Sequence, residues 1–262
     1  MRTITTRNAT FQQWQALLTN RTKRQRAGEF LVQGVRPISL AVERGWQVRA
    51  VLFADGRELS GWAGGVLAGI DRRFALAPEL MRELGGKDDE SPELLAVVGL
   101  PDDDLSRIPI GRATLVVVFD RPTTPGNIGT LIRSADAFGA AGVVITGHAA
   151  DPYDPKAVRA STGSLFAVPV VRVPSHREVV QWLFGTGVEI LGTDEHGDVD
   201  IAKHDLTGPK VIVIGNETQG LSTGWRESCD RILRIPIGGA ASSLNAAAAG
   251  TVVLYEAARQ RG

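Results

Sequence analysis

The sequence has little that could cross-link the chain, hold a metal or anchor it in a membrane. Cys229 is the one cysteine among 262 residues, so an intramolecular disulfide framework is excluded. The four histidines are scattered without the paired spacing of structural zinc ligands, so we predict no metal site. No apolar run approaches the roughly 18 residues that cross a bilayer, and no apolar segment typical of secretory leaders follows Arg2. We therefore expect a cytoplasmic protein without a membrane partner.

Two common cofactor motifs are also missing. No G-x-G-x-x-G opens a helix after a predicted strand, and G-x-x-x-x-G-K-[ST] does not occur. G-x-S-x-G occurs once, as GLSTG at residues 220–224, but it does not directly follow the predicted strand at residues 210–217 as a nucleophile elbow would. The sequence therefore gives no support for ordinary dinucleotide binding, nucleotide triphosphate hydrolysis or the serine hydrolase type of active site. Any ligand site must be built from other loops.

The net charge is zero, but the charges are unevenly distributed. Residues 1–50 contain nine Arg or Lys and two acids, a local charge of +7 that leaves −7 for the remainder. The densest basic stretch is NRTKRQRAGEF, residues 20–30. A solvated helix face or loop explains any single one of these charges, but the cluster is a candidate nucleic-acid contact. The candidate residues are Arg21, Lys23, Arg24, Arg26 and Arg36.

An acidic stretch separates this basic end from the rest of the chain. Residues 88–104 carry seven acids and no base, and Asp102, Asp103 and Asp104 follow a proline. This composition is typical of a loop, so we predict an acidic linker near residues 88–110. The expected domains are a small α/β unit over residues 1–105 and a second domain over residues 112–262.

Short, nearly continuous apolar runs indicate six buried strands in the second domain. They are TLVVVFD (114–120), GVVITG (142–147), AVPVVRV (167–173), VEILGTD (188–194), KVIVIGNE (210–217) and RILRIPI (231–237). Helical segments lie between them, and a last helix places Leu244, Ala248, Thr251, Tyr255 and Ala258 on one face. The alternation predicts an α/β fold with a mostly parallel sheet and helices on both faces.

Ligands of open parallel sheets bind beyond the carboxyl ends of the strands, where three junctions are unusual. RPTTPGNIGTLIRSADAFGA follows the first strand, GNETQGLS follows the fifth, and GGAASSLN follows the sixth. Each combines Gly or Pro with polar residues, which supply close backbone approach and hydrogen-bonding groups. We expect the binding site at these junctions.

The three junctions resemble the signature motifs of the SpoU/TrmH family of RNA ribose methyltransferases, within the SPOUT class. The matching segments are PGNIGTLIRSADAFGA, VIGNETQGLS and IPIGGAASSLNAAAAGTVVLYE, with DPKAVRASTGSLFAVPV between the first two. The resemblance covers about residues 112–260, and residues 20–45 resemble the RNA substrate-binding extension of many members. It implies a C-terminal trefoil knot, S-adenosylmethionine as cofactor and a homodimer. The knot would require close backbone approach at the small residues Gly238, Gly239, Ala240 and Ala241.

The resemblance also implies site residues. The cofactor-binding positions carried over or adjoining are Gly192, Thr193, Gly215, Asn216, Gly220, Ile235, Ile237 and Leu244. The catalytic positions are Asn127, Arg133, Glu217, Ser243 and Asn245. In the family the first-motif arginine, here Arg133, activates the ribose hydroxyl. Because an arginine keeps its proton, with a pKa above about 12, we predict an electrostatic role for it.

The remaining catalytic candidates have structural alternatives. Asn127 is expected to orient Arg133 or the ribose, and Glu217 to accept a hydrogen bond or a proton. Equally, Asn127 and Ser243 have the residue types that cap helices. Arg133 has the character of an exposed helix residue, and Glu217 that of a surface acid in a turn.

Together these features predict S-adenosylmethionine-dependent 2′-O-ribose methylation of a structured RNA. Ribosomal RNA is the preferred substrate because members with this N-terminal extension commonly act on it. Transfer RNA is the nearest alternative substrate. A dimeric RNA-binding assembly factor without catalytic activity is the alternative outside enzymology.

Overall fold

A computed structural model describes residues 1–85 and 91–262 of the chain. The first three residues of the predicted acidic linker, 88–90, lie outside the described residues. The chain divides into two compact units, Met1–Pro101 with Tyr153–Phe166, and Asp102–Pro152 with Ala167–Gly262. In the part of the chain that the structure describes, no helix is long and apolar enough to cross a membrane.

The first unit contains a five-stranded mixed sheet. Its strands are β1 (Arg2–Ile4), β2 (Glu29–Gln33), β3 (Val48–Ala54), β4 (Arg73–Leu76) and β5 (Leu94–Gly99). Its helices include α1 (Ala9–Thr19), α2 (Arg21–Ala27), α3 (Val35–Glu43), α4 (Gly61–Ala68) and α5 (Pro78–Gly85). The strand order is β1-β4-β3-β5-β2, in which β5 runs antiparallel to both of its neighbours.

The second unit contains a seven-stranded sheet in which every pairing is parallel. Its strands are β6 (Leu115–Asp120), β7 (Gly142–Thr146), β8 (Val170–Val173), β9 (Glu189–Thr193), β10 (Val199–Asp200), β11 (Lys210–Ile214) and β12 (Arg231–Arg234). The next helices along the chain are α6 (Pro125–Ala137), α7 (Pro155–Ser161), α8 (His176–Leu183), α9 (Thr223–Ser228) and α10 (Ala246–Arg261). Of these, α7 belongs to the first unit. The strand order is β10-β12-β9-β11-β6-β7-β8.

Helices cover both faces of this parallel sheet. Val211 and Val213 of β11 join a buried cluster that includes Trp225 of α9 and residues of α8. Ile214 lies on the opposite face because side chains alternate along a strand, and it packs near Gly250 of α10. The predicted α/β class and the two covered faces are therefore confirmed.

The predicted acidic linker is interrupted by regular structure. All residues of β5, Leu94–Gly99, are buried, so this segment is a strand of the first sheet. In the second unit, Asp103 accepts hydrogen bonds from the backbone N–H and the guanidinium of Arg172, both at 2.9 Å. Asp104 accepts from the backbone N–H of Ser106 at 2.8 Å. These carboxylates therefore have structural partners that their composition alone did not reveal.

Candidate active site

A cleft of about 410 Å³ opens at the carboxyl ends of β9, β11 and β12 in the second unit. The residues that follow these strands border it, as expected for a parallel sheet. They comprise Thr193 to His196 after β9, Ile214 to Gly220 at the end of β11, and Ile235 and Ile237 after β12. Ser242, Ser243 and Leu244, which precede α10, complete much of its wall.

A tight turn over residues 215–220 forms one side of the cleft. The backbones of Asn216 and Gly220 exchange two hydrogen bonds, of 2.9 and 3.1 Å. Gly220 has a φ of +64°, a region that favours glycine. A Cβ at Gly215 would lie 2.5 Å from the carbonyl carbon of Gly220, closer than side chains approach backbone. Glycine at both positions therefore lets the turn close on itself.

The Asn216 side chain holds this turn from within. Its Oδ1 accepts hydrogen bonds from the backbone N–H groups of Thr218 and Gln219, both at 3.0 Å. Its Nδ2 donates to the carbonyl oxygen of Arg121 at 2.7 Å. Both ends of the amide are thus engaged within the protein, so the Asn216 side chain serves to hold the turn.

Glu217 is a half-buried carboxylate with four hydrogen-bond donors. Its Oε2 accepts from the backbone N–H of Thr123 at 2.9 Å and from its hydroxyl at 3.1 Å. Its Oε1 accepts from the backbone N–H of Thr124 and from Nδ2 of Asn127, both at 3.1 Å. Burial acts to raise the pKa of Glu217, but these hydrogen bonds outweigh it and hold the pKa below its ordinary value. An ionised, fully bonded carboxylate is a poor proton acceptor and a good orienting group.

Asn127 and Asn245 extend this arrangement to the start of α10. Nδ2 of Asn245 donates to Oδ1 of Asn127 at 3.1 Å, while Oδ1 of Asn245 accepts from the backbone N–H groups of Ala247 and Ala248. A carboxylate only accepts hydrogen bonds, so Glu217 must face the NH₂ end of the Asn127 amide. The oxygen of Asn127 then faces Asn245, which must present its own NH₂ end. One continuous network thus joins the three junctions that the sequence singled out.

Seven of the eight predicted cofactor-binding residues border the cleft. They are Thr193, Gly215, Asn216, Gly220, Ile235, Ile237 and Leu244. Gly192 does not border it, and a Cβ there would lie 2.7 Å from side-chain carbons of Ile232 and Leu221. A glycine at this position therefore allows strand β9 to pack against its neighbours.

The expectation of close backbone approach at Gly238 and Gly239 is wrong. Both are exposed, and a Cβ built on either would meet nothing within 4 Å. All residues from 236 to 245 are exposed in this chain. The close backbone approaches occur instead at Gly215 and at Gly197, whose Cβ would lie 2.6 Å from the carbonyl carbon of Leu233.

The other two catalytic candidates lie apart from this network. Ser243 is exposed and borders the cleft. Arg133 is exposed on α6, does not border the cleft, and has no hydrogen-bond or ion-pair partner within residues 1–85 and 91–262. Asn127 and Ser243 do not cap helices, which was their structural alternative. Thr124 is the residue that precedes α6, and Asn245 caps α10.

The basic residues of the first unit separate into two groups. Lys23, Arg26 and Arg36 are exposed, and Arg21 is half-buried. Arg24 is 2% exposed, and its guanidinium donates to the carbonyl oxygen of Leu17 at 2.7 Å and lies 3.5 Å from the Asp154 carboxylate. A side chain held this way cannot reach a phosphate, so Arg24 has a structural role in place of the predicted nucleic-acid contact.

Several cleft residues were not predicted from the sequence. Asp194 forms an ion pair with Arg226, and both border the cleft. Burial acts to raise the pKa of Asp194, but the His196 N–H and the Arg226 guanidinium together hold it below its ordinary value. Outside the cleft, the sequence also did not predict Thr123 and Thr124 as the donors to Glu217. Both lie in the unusual junction between a strand and a proline-initiated helix, and this position was the signal that could have identified them.

Comparison with known proteins identifies the family of the chain. The model of the SpoU rRNA methylase family matches residues 114–255, and that of the SpoU L30e-like domain matches residues 8–96. The chain is 59% identical over 266 residues to the 23S rRNA (uridine(2479)-2′-O)-methyltransferase of Streptomyces viridochromogenes, with 99% of this chain and 93% of that protein covered.

Solved structures agree as well. The SpoU methyltransferase AviRb from Streptomyces viridochromogenes, in complex with the cofactor AdoMet, has a TM-score of 0.94 at 59% identity, with 97% of this chain and 98% of that chain covered. The AdoMet-bound rRNA methyltransferase from Sinorhizobium meliloti has a TM-score of 0.89 at 28% identity, covering 99% and 97%. Because the family model covers more than half of the chain and the Streptomyces viridochromogenes methyltransferase is matched over nearly its whole length, the chain belongs to the SpoU rRNA methylase family.

Proposed function

We propose that this protein transfers a methyl group from S-adenosylmethionine to a ribose 2′-oxygen of ribosomal RNA. The observation that carries the proposal is the hydrogen-bond network of Glu217, Asn127 and Asn245 beside the cleft. It joins three distant segments of the chain, and it leaves Ser243 exposed at the cleft. The relatives described above support ribosomal RNA as the substrate.

The cleft suits a ligand that combines apolar, polar and cationic parts. Its size falls within the range of about 300–1,000 Å³ usual for small-molecule sites. Ile235, Ile237 and Leu244 provide apolar walls, while Glu195 and Glu217 provide negative charge. S-adenosylmethionine, when bound, supplies a methyl group activated by a sulfonium. We propose that the turn over residues 215–220 and the three apolar side chains hold it.

The residues of the site would position the acceptor rather than take part covalently. Glu217 is held ionised by its donors and orients Asn127, which in turn orients Asn245. The Arg133 guanidinium would bind a neighbouring phosphate and stabilise negative charge on the 2′-oxygen. The 2′-hydroxyl proton would become more acidic as its oxygen is methylated and would pass to solvent water at the open cleft, so a strong protein base is not required.

We further propose that the protein is a cytoplasmic homodimer with a knotted C-terminal segment. The last helix supports dimerisation because its face with Ala248 and Tyr255 is exposed, whereas the face with Ala247 and Leu254 is buried. Val252 and Tyr255 are 36% and 53% exposed, an apolar surface suited to a second copy. The proposed domain division assigns RNA phosphate contacts to Lys23, Arg26 and other exposed cations of the first unit.

Two measurements test the proposed function. Calorimetric titration with S-adenosylmethionine should show binding, and a labelled methyl group should then be transferred to ribosomal RNA. Incorporation into transfer RNA alone would identify the alternative substrate. Absence of cofactor binding by the folded protein would contradict the enzyme and favour an RNA-binding assembly factor.

A further inference from the structure

Arg121, the residue that directly follows β6, has an unusual backbone conformation. Its φ is +51°, in the left-handed region that is unfavourable for a residue with a Cβ. Strain of this kind persists only where surrounding contacts hold the residue in place. Arg121 is absent from the signature residues carried over from the family resemblance, so its conformation calls for a separate explanation.

Three hydrogen bonds join Arg121 to the turn at residues 216–220. Its carbonyl oxygen accepts from Nδ2 of Asn216 at 2.7 Å. Its guanidinium donates through Nη1 to Oε1 of Gln219 at 2.9 Å and through Nη2 to the carbonyl oxygen of Gly220 at 3.1 Å. The backbone and the side chain of one residue thus hold both ends of the turn that borders the cleft.

The guanidinium is itself oriented by a buried carboxylate. Its Nε donates to Oδ2 of Asp120 at 3.2 Å, and the same oxygen accepts from the backbone N–H of Ser222 at 2.9 Å. Oδ1 of Asp120 accepts from the Thr146 hydroxyl at 3.2 Å, and Asp120 is 3% exposed. A planar fork held at Nε presents its two terminal nitrogens in a fixed direction.

The neighbouring strand leaves room for this side chain. A Cβ at Gly147, just after β7, would lie 2.7 Å from Cγ of Arg121. The stem of Arg121 therefore lies against a backbone that carries no side chain at this point. The guanidinium of Arg121 is therefore held in one position by its left-handed backbone, by the buried Asp120 carboxylate and by the space beside Gly147.

We infer that Arg121 is a positioning residue for cofactor binding, which orders the turn at residues 216–220 before the cofactor arrives. The inference rests on the proposed function, since the cofactor is S-adenosylmethionine. A turn already ordered in the free protein spares the entropy of ordering it on binding, so the affinity is higher. Arg121 does not border the cleft and acts through the turn.

The test compares Arg121→Gly and Arg121→Lys with the parent full-length protein. Glycine removes the contacts of the guanidinium but adopts φ +51° without strain, and Asp120 keeps its hydrogen bonds from Thr146 and Ser222. The relief of strain therefore offsets part of the lost ion pair, and the Tm should stay within a few degrees of the parent's. The Kd for S-adenosylmethionine should rise about tenfold, the equivalent of about 1.4 kcal/mol. KM for the cofactor should rise in step, while kcat at saturating cofactor changes by less than about threefold.

Arg121→Lys keeps the positive charge and the strained backbone but has no fork with which to reach both acceptors. It should weaken cofactor binding nearly as much as the glycine variant, which separates geometry from charge. If the glycine variant does not fold, the lysine variant alone decides the question, because full affinity in it would overturn the inference.

Hydrogen exchange in the cofactor-free protein gives a readout that a general structural role would not produce. In either variant the backbone amides of Thr218, Gln219 and Gly220 should exchange about tenfold faster, with the amide of Ile212 in β11 unchanged. Unchanged exchange at the turn, or faster exchange throughout the unit with a fall in Tm, would overturn the inference. Failure of the parent protein to bind S-adenosylmethionine would overturn the proposed function instead, and exchange at the turn would still show whether Arg121 orders it.

Discussion

Glu217 illustrates how a charged residue beside an active site can serve geometry instead of proton transfer. Its two oxygens accept four hydrogen bonds, two of them from backbone N–H groups. A carboxylate in this state fixes the direction of every donor that it binds. Through Asn127 that direction is passed to Asn245 and the first turn of α10.

Replacing Glu217 by glutamine should therefore disturb the site more than its change of charge suggests. Glutamine replaces one acceptor oxygen by an NH₂ group, and each carboxylate oxygen now accepts from a backbone N–H that cannot itself accept, so at least one hydrogen bond is lost. We expect a loss of about 1–2 kcal/mol in the free energy of unfolding and a marked fall in methyl transfer. Urea denaturation and a labelled-methyl assay measure the two effects.

The pH dependence of this difference has a definite sign. The pKa of Glu217 in the folded protein is below its ordinary value of 4.5, so the carboxylate stabilises the fold fully above pH 4.5. That contribution is lost as the pH falls through the lower, folded value. The stability gap between the parent and Glu217→Gln should narrow on acidification below pH 4.5, and a constant gap would contradict the assignment.

Unlike Glu217, Arg133 should affect methyl transfer without affecting the stability of the fold. Because its side chain is exposed and has no partner among the residues that the structure describes, Arg133→Ala should change stability by less than about 0.5 kcal/mol. If it stabilises the 2′-oxygen, methyl transfer should be abolished while cofactor affinity stays intact. Arg133→Lys is the matched control, and retained turnover in Arg133→Ala would remove this residue from the mechanism.

For single residues, the sequence indicated candidates for the site but did not indicate their hydrogen-bond partners. Glu217, Asn127 and Asn245 are implied as site residues by the family resemblance of the three junctions. Their donors and acceptors depend on which loops meet, which no spacing along the chain reveals. Arg24 was misassigned for the same reason, since a cationic cluster in sequence does not show which member is buried.

At the scale of elements, the space around a glycine differs between two segments. They are the turn at residues 215–220 and the exposed segment 236–245. A Cβ at Gly215 would meet backbone at 2.5 Å, whereas one at Gly238 would meet nothing within 4 Å. Gly215→Ala should therefore displace the turn and weaken cofactor binding by at least about tenfold. Gly238→Ala is its matched control and should bind as the parent does, as measured by calorimetry. Equal affinities in the two variants would show that the turn does not form the cofactor site.

Helix α2 offers a second pair of matched variants. Lys23→Ala with Arg26→Ala removes two exposed cations and should weaken RNA binding without loss of Tm. Two lost phosphate contacts should reduce the slope of log affinity against log salt by about 1.4–1.8. If the double variant binds RNA with the parent's affinity at every salt concentration, Lys23 and Arg26 do not contact RNA phosphates.

Arg24→Ala is the contrasting variant in the same helix. It leaves the carbonyl of Leu17 and the carboxylate of Asp154 without this donor, so it should cost about 1–3 kcal/mol of stability. Its salt dependence of RNA binding should match the parent's under conditions where it stays folded.

The strands were predictable because burial on both faces makes them continuously apolar. All six predicted strands of the second unit are present as β6, β7, β8, β9, β11 and β12. The two-residue strand β10, Val199–Asp200, carries no such signal. Strand order was not predictable either, because β12 pairs with β9 and not with the strand before it in the chain. Likewise, periodicity showed that α10 has two faces without showing which one is buried.

For the whole molecule, the exposed face of α10 leads to a prediction about oligomeric state. Sedimentation should give twice the chain mass of 28.0 kDa at micromolar concentration. Tyr255→Glu places a charge on a side chain that is 53% exposed in the single chain, so it should shift the protein to monomer without unfolding it. A parent protein that sediments as a monomer would contradict the homodimer.

The composition of the first unit has a consequence for biosynthesis. Phe30 of β2 packs against Tyr153 and Phe166, with ring centroids 5.0 and 6.2 Å apart. Trp46 also donates from Nε1 to the carbonyl of Phe166 at 3.1 Å. These partners are synthesised more than fifty residues after β5 is complete. During translation, the amino-terminal unit must therefore wait with part of its aromatic core uncovered until residue 166 has left the ribosome, a period in which chaperones have an apolar surface to bind.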